Sequence, residues 1–239
     1  ALNKGKAVYV EKPLALDLQS ITDIEESIYR SENPKLFIGF NRRFSKSAQF
    51  IKQKLINSPA NSINLRFSVP PLDSDHWTNI KEIGGGRIVG EAVHGIDLAC
   101  YLFDSLPQSI SASAPVDKTN NMVKDNQVFL NINFANGSHA ALQYFTEANQ
   151  ILSKERVEVH GEGNSYILED FKMLRFLEGS QDRSKTFSTG KGHKESLSIF
   201  FDYVRDKSQN PFTWEEIKAV SKAAIIAQDH INSGQQHNV

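Results

Sequence analysis

The sequence predicts an α/β (α+β) protein in which a large, open and mainly antiparallel sheet is covered on one face by helices. Residues 1–69 alternate short apolar segments with amphipathic ones, in the order β-α-β-α-β. Residues 109–187 instead contain successive short strand patterns separated by turn residues, which is typical of an antiparallel sheet. Helices must cover one face of such a sheet, so the other face meets solvent or another subunit.

The first elements have the order of an α/β unit. Residues 7–10 and 36–40 are continuous apolar segments of the kind buried in parallel sheets, whereas residues 63–69 alternate apolar and polar side chains. Asp17 and Ser45 are the expected caps of two intervening helices. Because a parallel strand needs a neighbour, we expect the chain to start inside a domain whose earlier part is absent. A lone edge strand at the start of a domain is the alternative.

A glycine-broken central helix carries three polar side chains in a row. It follows Gly84-Gly85-Gly86 and continues to about residue 103. Glu91, His94 and Asp97 are spaced i, i+3, i+6, which places the imidazole between two carboxylates. An imidazole titrates near neutrality and suits proton transfer, with Glu91 as its candidate orienting partner and Asp97 as a weaker one. A core histidine satisfied by a backbone carbonyl is the alternative.

The second half of the chain is predicted to form strands and then two helices. The Asn136-Gly137 pair between two strand patterns predicts a hairpin turn. The predicted strands are residues 109–114, 128–134, 139–144, 156–160, 166–169, 173–176 and 185–187, and the predicted helices are residues 194–207 and 213–233.

Composition excludes several classes of function. Lys and Arg (27) nearly balance Asp and Glu (28), so no basic excess attracts nucleic acid or an anionic membrane. No apolar segment is long enough to span a bilayer. The single cysteine, Cys100, fits a reducing environment and predicts a cytoplasmic protein. No cluster has metal-ligand spacing, so we predict no metal, and no glycine-rich phosphate loop is present.

Polar residues follow the first two predicted strands. Lys12 lies at the carboxyl end of the first, where open α/β sheets bind their ligands, and Pro13 fixes the backbone beside it. Asn41 and Arg42 follow the second strand and could bind a polyol or a carboxylate. The alternative for Lys12 is an ordinary surface lysine. The alternative for Arg42 is that it and Arg43 are simply solvated.

Two further segments are candidates for substrate binding. His76 and Trp77 lie in a polar loop, where an aromatic plane could stack on a sugar ring. His193 follows Gly192 just before a predicted helix. Each of these rests on residue type alone.

Together these features resemble the glucose-fructose oxidoreductase / inositol dehydrogenase / MocA family. The resemblance rests on four segments that together span most of the chain. These are residues 5–13 with their Glu-Lys-Pro, Phe40-Asn41-Arg42-Arg43-Phe44, Gly84-Gly85-Gly86 through His94-Gly95-Ile96-Asp97, and Gly192-His193 followed by Glu195 and Phe200-Phe201.

The resemblance implies a domain organisation and a cofactor. Residues 1–33 would be the last part of a truncated Rossmann domain, and residues 34–239 a C-terminal α/β domain for substrate binding and oligomerisation. NAD or NADP would be bound mainly by the missing N-terminal domain, with Glu11, Lys12 and Pro13 contributing from this chain.

The resemblance also implies catalytic roles. Lys12 would lie beside the nicotinamide and the substrate hydroxyl, and His94 would act in proton transfer with that hydroxyl. Many members have an aspartate four residues before the histidine, where this chain has Gly90. Glu91, one residue later, is the expected substitute, as in the subset with Gly-Glu-x-x-His.

We therefore expect the substrate domain of an NAD(P)-dependent oxidoreductase acting on a sugar, a polyol or a sugar derivative, with a homo-oligomer formed through the open sheet face. Two alternatives remain. One is a non-catalytic module that binds a sugar or a sugar nucleotide. The other is an NAD-dependent glycosidase of the same family.

Overall fold

The computed structural model of the protein describes residues 1–70, 80–115, 125–149, 151–188 and 190–233. Its strands are β1 (Val8–Val10), β2 (Leu36–Ile38), β3 (Ser62–Ser68), β4 (Pro107–Ser113), β5 (Gln127–Phe134), β6 (His139–Phe145), β7 (Glu155–Gly161), β8 (Asn164–Glu169), β9 (Met173–Glu178) and β10 (Gln181–Thr186). Its α-helices are α1 (Leu18–Tyr29), α2 (Lys46–Leu55), α3 (Lys81–Gly84), α4 (Val93–Phe103), α5 (His193–Val204) and α6 (Trp214–Asn232).

Eight strands form one large sheet in the order β10-β9-β8-β7-β3-β6-β5-β4. All its neighbours are antiparallel except β3 and β6, which run parallel. Side chains of β5 alternate between buried and exposed along the strand, as expected where one face is covered. The predicted α/β (α+β) fold with a mainly antiparallel sheet is confirmed.

The first two strands form a separate, two-stranded parallel sheet. Val8 pairs with Leu36 and Val10 with Ile38. This pairing crosses the expected domain boundary between residues 33 and 34. Asp17 caps α1 between the two strands, as predicted, through a 2.7 Å hydrogen bond from the Ser20 amide.

Strand β3 belongs to the large sheet. The β-α-β-α-β order predicted it as the third strand of an α/β unit, and this was wrong. The structure pairs β3 with β6 and β7 instead. Its alternating side chains explain the difference, because they suit a sheet with only one buried face.

Two short helical segments differ from the predicted elements, and both carry polar side chains that were candidates for the site. Asn41–Phe44 forms a 3₁₀-helix, so β2 ends at Ile38 rather than at residue 40. Ile88–Ala92 forms a π-helix that leads into α4. The last strand, β10, also begins earlier than predicted.

Helix α4 lies in the core against the large sheet. A Cβ atom added to Gly95 would lie 2.3 Å from Leu142 Cδ1, so α4 packs directly on β6. Helix α6 covers α4 and β4 and begins at a capping box formed by Thr213 and Glu216. Among the described residues, no helix is both long and apolar enough to cross a membrane.

Candidate active site

The glycine triplet shapes the start of the central helix. Gly85 and Gly86 have φ of +70° and +95°, which favours glycine. Gly86 lies against the Gln228 side chain of α6, because an added Cβ would lie 2.4 Å from its Cδ and Oε1. Gln228 Oε1 in turn accepts a 3.0 Å hydrogen bond from the Ile88 amide. These glycines therefore allow two helices to approach closely.

Lys12 reaches from the end of β1 to the π-helix. Its ammonium donates to the Gly90 carbonyl and, at 2.8 Å, to Glu91 Oε1. The Lys12 side chain is 14% exposed and that of Glu91 29%. The predicted proximity of Lys12 and the Glu91–His94 segment is therefore present in the structure.

His94 is buried and keeps a ring nitrogen without a partner. Among the described residues, no group hydrogen-bonds to the buried Nδ1 atom. Burial lowers the pKa of His94 well below 6.5, and the positive charges of Arg42, Lys12, Lys191 and His193 lower it further. The imidazole is therefore neutral at pH 7 and able to accept a proton.

The hydrogen bond expected between Glu91 and His94 is not formed. Glu91 accepts from Lys12 instead. The i, i+3 argument assumes an α-helix, whereas the wider π-helical turn over Ile88–Ala92 changes the angle between the two side chains. Glu91 thus positions Lys12.

Asp97 pairs with Arg43. Arg43 Nη2 and Nε lie 2.6 and 3.2 Å from the two Asp97 carboxylate oxygens, and the side chains are 3% and 1% exposed. Arg43 also lies 4.5 Å from the centroid of the Phe212 ring and 3.4 Å from Glu216 Oε1. Burial raises the pKa of Asp97, and Arg43 opposes that shift. This pair fixes α4 to the 3₁₀-helix, and substrate binding by Asp97, the other role expected of it, stays a prediction.

Asn41, Arg42 and His193 gather around a buried carboxylate that sequence reasoning missed. Arg42 donates two hydrogen bonds to Glu155, from Nε at 2.7 Å and from Nη2 at 2.9 Å. The Lys191 ammonium also donates to Glu155. Asn41 Nδ2 donates to the Lys191 carbonyl at 2.6 Å.

His193 begins α5 next to Lys191 and is exposed. Its pKa is lowered by partial burial of the ring and by the charges of Arg42 and Lys191. Lys191 adjoins the predicted Gly192-His193 pair, and only this neighbourhood indicated Lys191 in the sequence. Nothing in the sequence indicated Glu155.

The remaining predicted residues lie at the edges of this region or outside it. Glu11 is exposed and its carboxylate lies over Gly39, where an added Cβ would be 2.6 Å from Oε2. Pro13 follows a cis peptide bond. His76 and Trp77 fall outside the described residues. Among the described residues, no group of three or more His, Cys, Asp or Glu side chains could hold a metal ion.

The arrangement can polarise and deprotonate a hydroxyl group. An ammonium held by a carboxylate and a carbonyl is a fixed donor for an oxygen atom. The neutral His94 imidazole, on the helix that continues from the π-helix, is a base of suitable type.

Comparison with known proteins identifies the chain's relatives. A family model described as the GFO/IDH/MocA C-terminal domain matches residues 59–167. An inositol 2-dehydrogenase of Rhizobium meliloti is 26% identical over 213 residues, which cover 77% of this chain and 62% of that protein. A myo-inositol 2-dehydrogenase of Thermotoga maritima is 22% identical over 96% of this chain and 66% of that protein. The chain thus spans less than two thirds of the length of either relative.

Solved structures share the fold. An aldose-aldose oxidoreductase from Caulobacter crescentus has a TM-score of 0.82 at 15% identity, over 98% of this chain and 72% of that one. A UDP-N-acetylglucosamine 3-dehydrogenase from Acidithiobacillus ferrooxidans has a TM-score of 0.80 at 15% identity, over 97% of this chain and 72% of that one. Residues 59–167 are therefore similar to the GFO/IDH/MocA C-terminal domain, and the large mainly antiparallel sheet agrees with that similarity.

Proposed function

We propose that this chain is the substrate domain of an oxidoreductase that transfers a hydride between NAD or NADP and a hydroxyl-bearing carbon of a sugar, a polyol or a sugar derivative. The observation that carries the proposal is the placement of the Lys12 ammonium against the π-helix that leads into His94. The names of the dehydrogenase relatives support the same reaction class.

In this proposal each side chain has a separate task. Lys12 donates a hydrogen bond to the substrate oxygen, and its charge favours the alkoxide form of that oxygen. His94 accepts the hydroxyl proton, because its lowered pKa keeps it neutral at pH 7. Glu91 and the Gly90 carbonyl keep the Lys12 ammonium in place.

The residues present fit the nicotinamide end of the cofactor. The Lys12 ammonium, and His94 Nδ1 with no hydrogen-bond partner among the described residues, are the polar groups that would face a hydroxyl beside a nicotinamide. A bound nicotinamide would supply the hydride acceptor, and Glu11, Lys12 and Pro13 would lie on its side of the site. Residues 1–33 would be the end of the nucleotide-binding domain.

The test uses the full-length protein with a panel of sugars and polyols. We expect reduction of NAD or NADP, and a loss of at least about 100-fold in kcat/KM for Lys12→Met and for His94→Asn. Lys6→Met, on an exposed part of the same segment, is the control. Wild-type turnover in both site variants would contradict the proposal. Ligand binding without reduction would indicate a non-catalytic module, and release of a free sugar without net reduction would indicate a glycosidase.

We also propose that the open face of the eight-stranded sheet binds a second copy of the chain. Phe129 on β5 is 40% exposed. Its ring centroid lies 5.6 Å from that of Phe145 on the neighbouring strand. An aromatic pair on an uncovered sheet face is a typical centre for an interface between subunits.

A further inference from the structure

Glu155 is a buried carboxylate with one more cation than its charge requires. It is the first residue of β7 and is 1% exposed. Arg42 alone satisfies both carboxylate oxygens and balances the charge. The Lys191 ammonium binds the same carboxylate, so these three side chains carry one uncompensated positive charge.

The carboxylate stays ionised and fixed in place. Burial would raise the pKa of Glu155, but the charges and hydrogen bonds of Arg42 and Lys191 outweigh that effect and lower it. The Glu155 amide donates to Asp170 Oδ1 at 2.9 Å, and the Asp170 amide donates to the Glu155 carbonyl at 2.8 Å. Glu155 therefore forms a rigid base for the two cations.

Lys191 is the exposed member of the three. Its side chain is 24% exposed, against 8% for Arg42. An ammonium has three donors, and among the described residues Lys191 uses one of them, on Glu155. Among the described residues, the other two donors of Lys191 have no hydrogen-bond partner, and the side chain is partly open to solvent.

The backbone on the C-terminal side of Lys191 packs against the 3₁₀-helix. Asn41 Nδ2 donates to the Lys191 carbonyl. The next residue, Gly192, has φ of +82° and lies so close to the 3₁₀-helix that an added Cβ would be 2.4 Å from the Asn41 carbonyl oxygen. These contacts hold the backbone beside Lys191, and Glu155 holds its ammonium.

Arg42 is linked to the helix of His94 through Phe67. The Arg42 guanidinium lies 5.5 Å from the centroid of the Phe67 ring. Phe67 contacts α4 at Gly95, the residue next to His94. The pKa of His94 is lowered mainly by burial, and the charges of Arg42 and Lys191 lower it further.

We propose that the substrate carries a carboxylate, as in an acidic sugar, and that Lys191 binds this group while Glu155 positions the lysine. One partly exposed ammonium matches a monoanion better than a dianionic phosphate. The inference rests on the proposed function, because it names the substrate class of the same site.

The test compares D-glucuronate with D-glucuronamide, which has the same shape without the charge. Binding to the 239-residue chain is measured by calorimetry at a fixed ionic strength of about 0.15 M, so that screening is equal. We expect glucuronate to bind at least about tenfold more tightly, since a charge-assisted hydrogen bond contributes this much or more. Lys191→Met abolishes the preference, and Lys191→Arg keeps it. The control Lys194→Met, an exposed lysine on α5, changes the net charge equally and keeps the preference.

Equal affinity for the two compounds overturns the inference, as does no measurable binding of either. A preference that survives Lys191→Met, or that Lys194→Met also removes, overturns it as well. In the full-length protein, cofactor reduction with neutral sugars only would leave the oxidoreductase proposal standing and contradict the carboxylate. An anion preference that depends on Lys191, with no reduction of any sugar, would contradict the oxidoreductase proposal alone.

Discussion

The pH dependence of folding stability tests the environment of His94 without any assay of activity. The side chain is 5% exposed and its pKa in the folded protein lies well below 6.5. In the unfolded chain a histidine titrates at about 6.5. At pH values between these two, the unfolded chain binds one proton that the folded protein does not bind.

This difference sets the sign and the size of the effect. Stability contributed by neutral His94 is complete above pH 6.5 and is lost as pH falls below it. The loss approaches about 1.4 kcal/mol per pH unit, so the stability lost between pH 7 and pH 5 has an upper limit of about 2 kcal/mol. The replacement His94→Gln removes the titrating group and therefore this part of the pH dependence.

The measurement is urea unfolding at pH 7, 6 and 5. The wild type is compared with His94→Gln and with His139→Gln, an exposed histidine on β6, so that each variant lacks one histidine. We expect His94→Gln to lose less stability than the wild type between pH 7 and pH 5, by up to about 2 kcal/mol. A change in the free energy of unfolding that is the same at every pH cancels, because only the change with pH is compared. An equal loss in wild type and His94→Gln would refute the assignment of a buried, neutral imidazole.

Two further predictions concern the backbone at the site and the open sheet face. Gly192→Ala combines a left-handed φ with a backbone clash at the Asn41 carbonyl. Gly137→Ala is the control, because its φ of +85° is similar but its added Cβ meets nothing within 4 Å. We expect Gly192→Ala to destabilise the fold by about 2 kcal/mol more than the control. Equal costs in thermal unfolding would contradict this packing argument. Phe129→Asp should convert the proposed oligomer into monomers, because it places a charge at an apolar contact. Light scattering would detect the change, and an unaltered oligomer would exclude this face as the interface.

The fold could be predicted, and Lys12 and His94 could be chosen as candidates, because their signals are local. Short alternating strands separated by turns specify a mainly antiparallel sheet wherever the strands are finally placed. Lys12 follows a buried strand and His94 interrupts an apolar helix, so each was visible within a few residues. Their proximity came from the family resemblance, and the hydrogen bonds from Lys12 to the Gly90–Glu91 turn agree with it.

The polar contacts between distant segments could not be predicted. Arg42 and Glu155 are 113 residues apart, and Arg43 and Asp97 are 54 apart. Two adjacent arginines offer no sign of which acid each will bind, and acids at these positions are unremarkable in the sequence. Only the tertiary fold decides the pairing, by burying each guanidinium beside one carboxylate at a cost that the pairing must offset.

The position of Glu91 shows how a local irregularity redistributes roles within a site. In a regular α-helix Glu91 would lie beside His94 and leave the Lys12 ammonium without a carboxylate. The π-helix turns Glu91 toward Lys12 instead, while Gln228 of α6 binds the amide of Ile88, the first residue of that turn. Among the described residues no acid then hydrogen-bonds to His94, and burial, with the neighbouring cations, keeps its pKa low. The Glu91 carboxylate thus holds the Lys12 ammonium and leaves the His94 imidazole neutral. Without the π-helical turn, we expect Glu91 to lie beside His94 instead of Lys12.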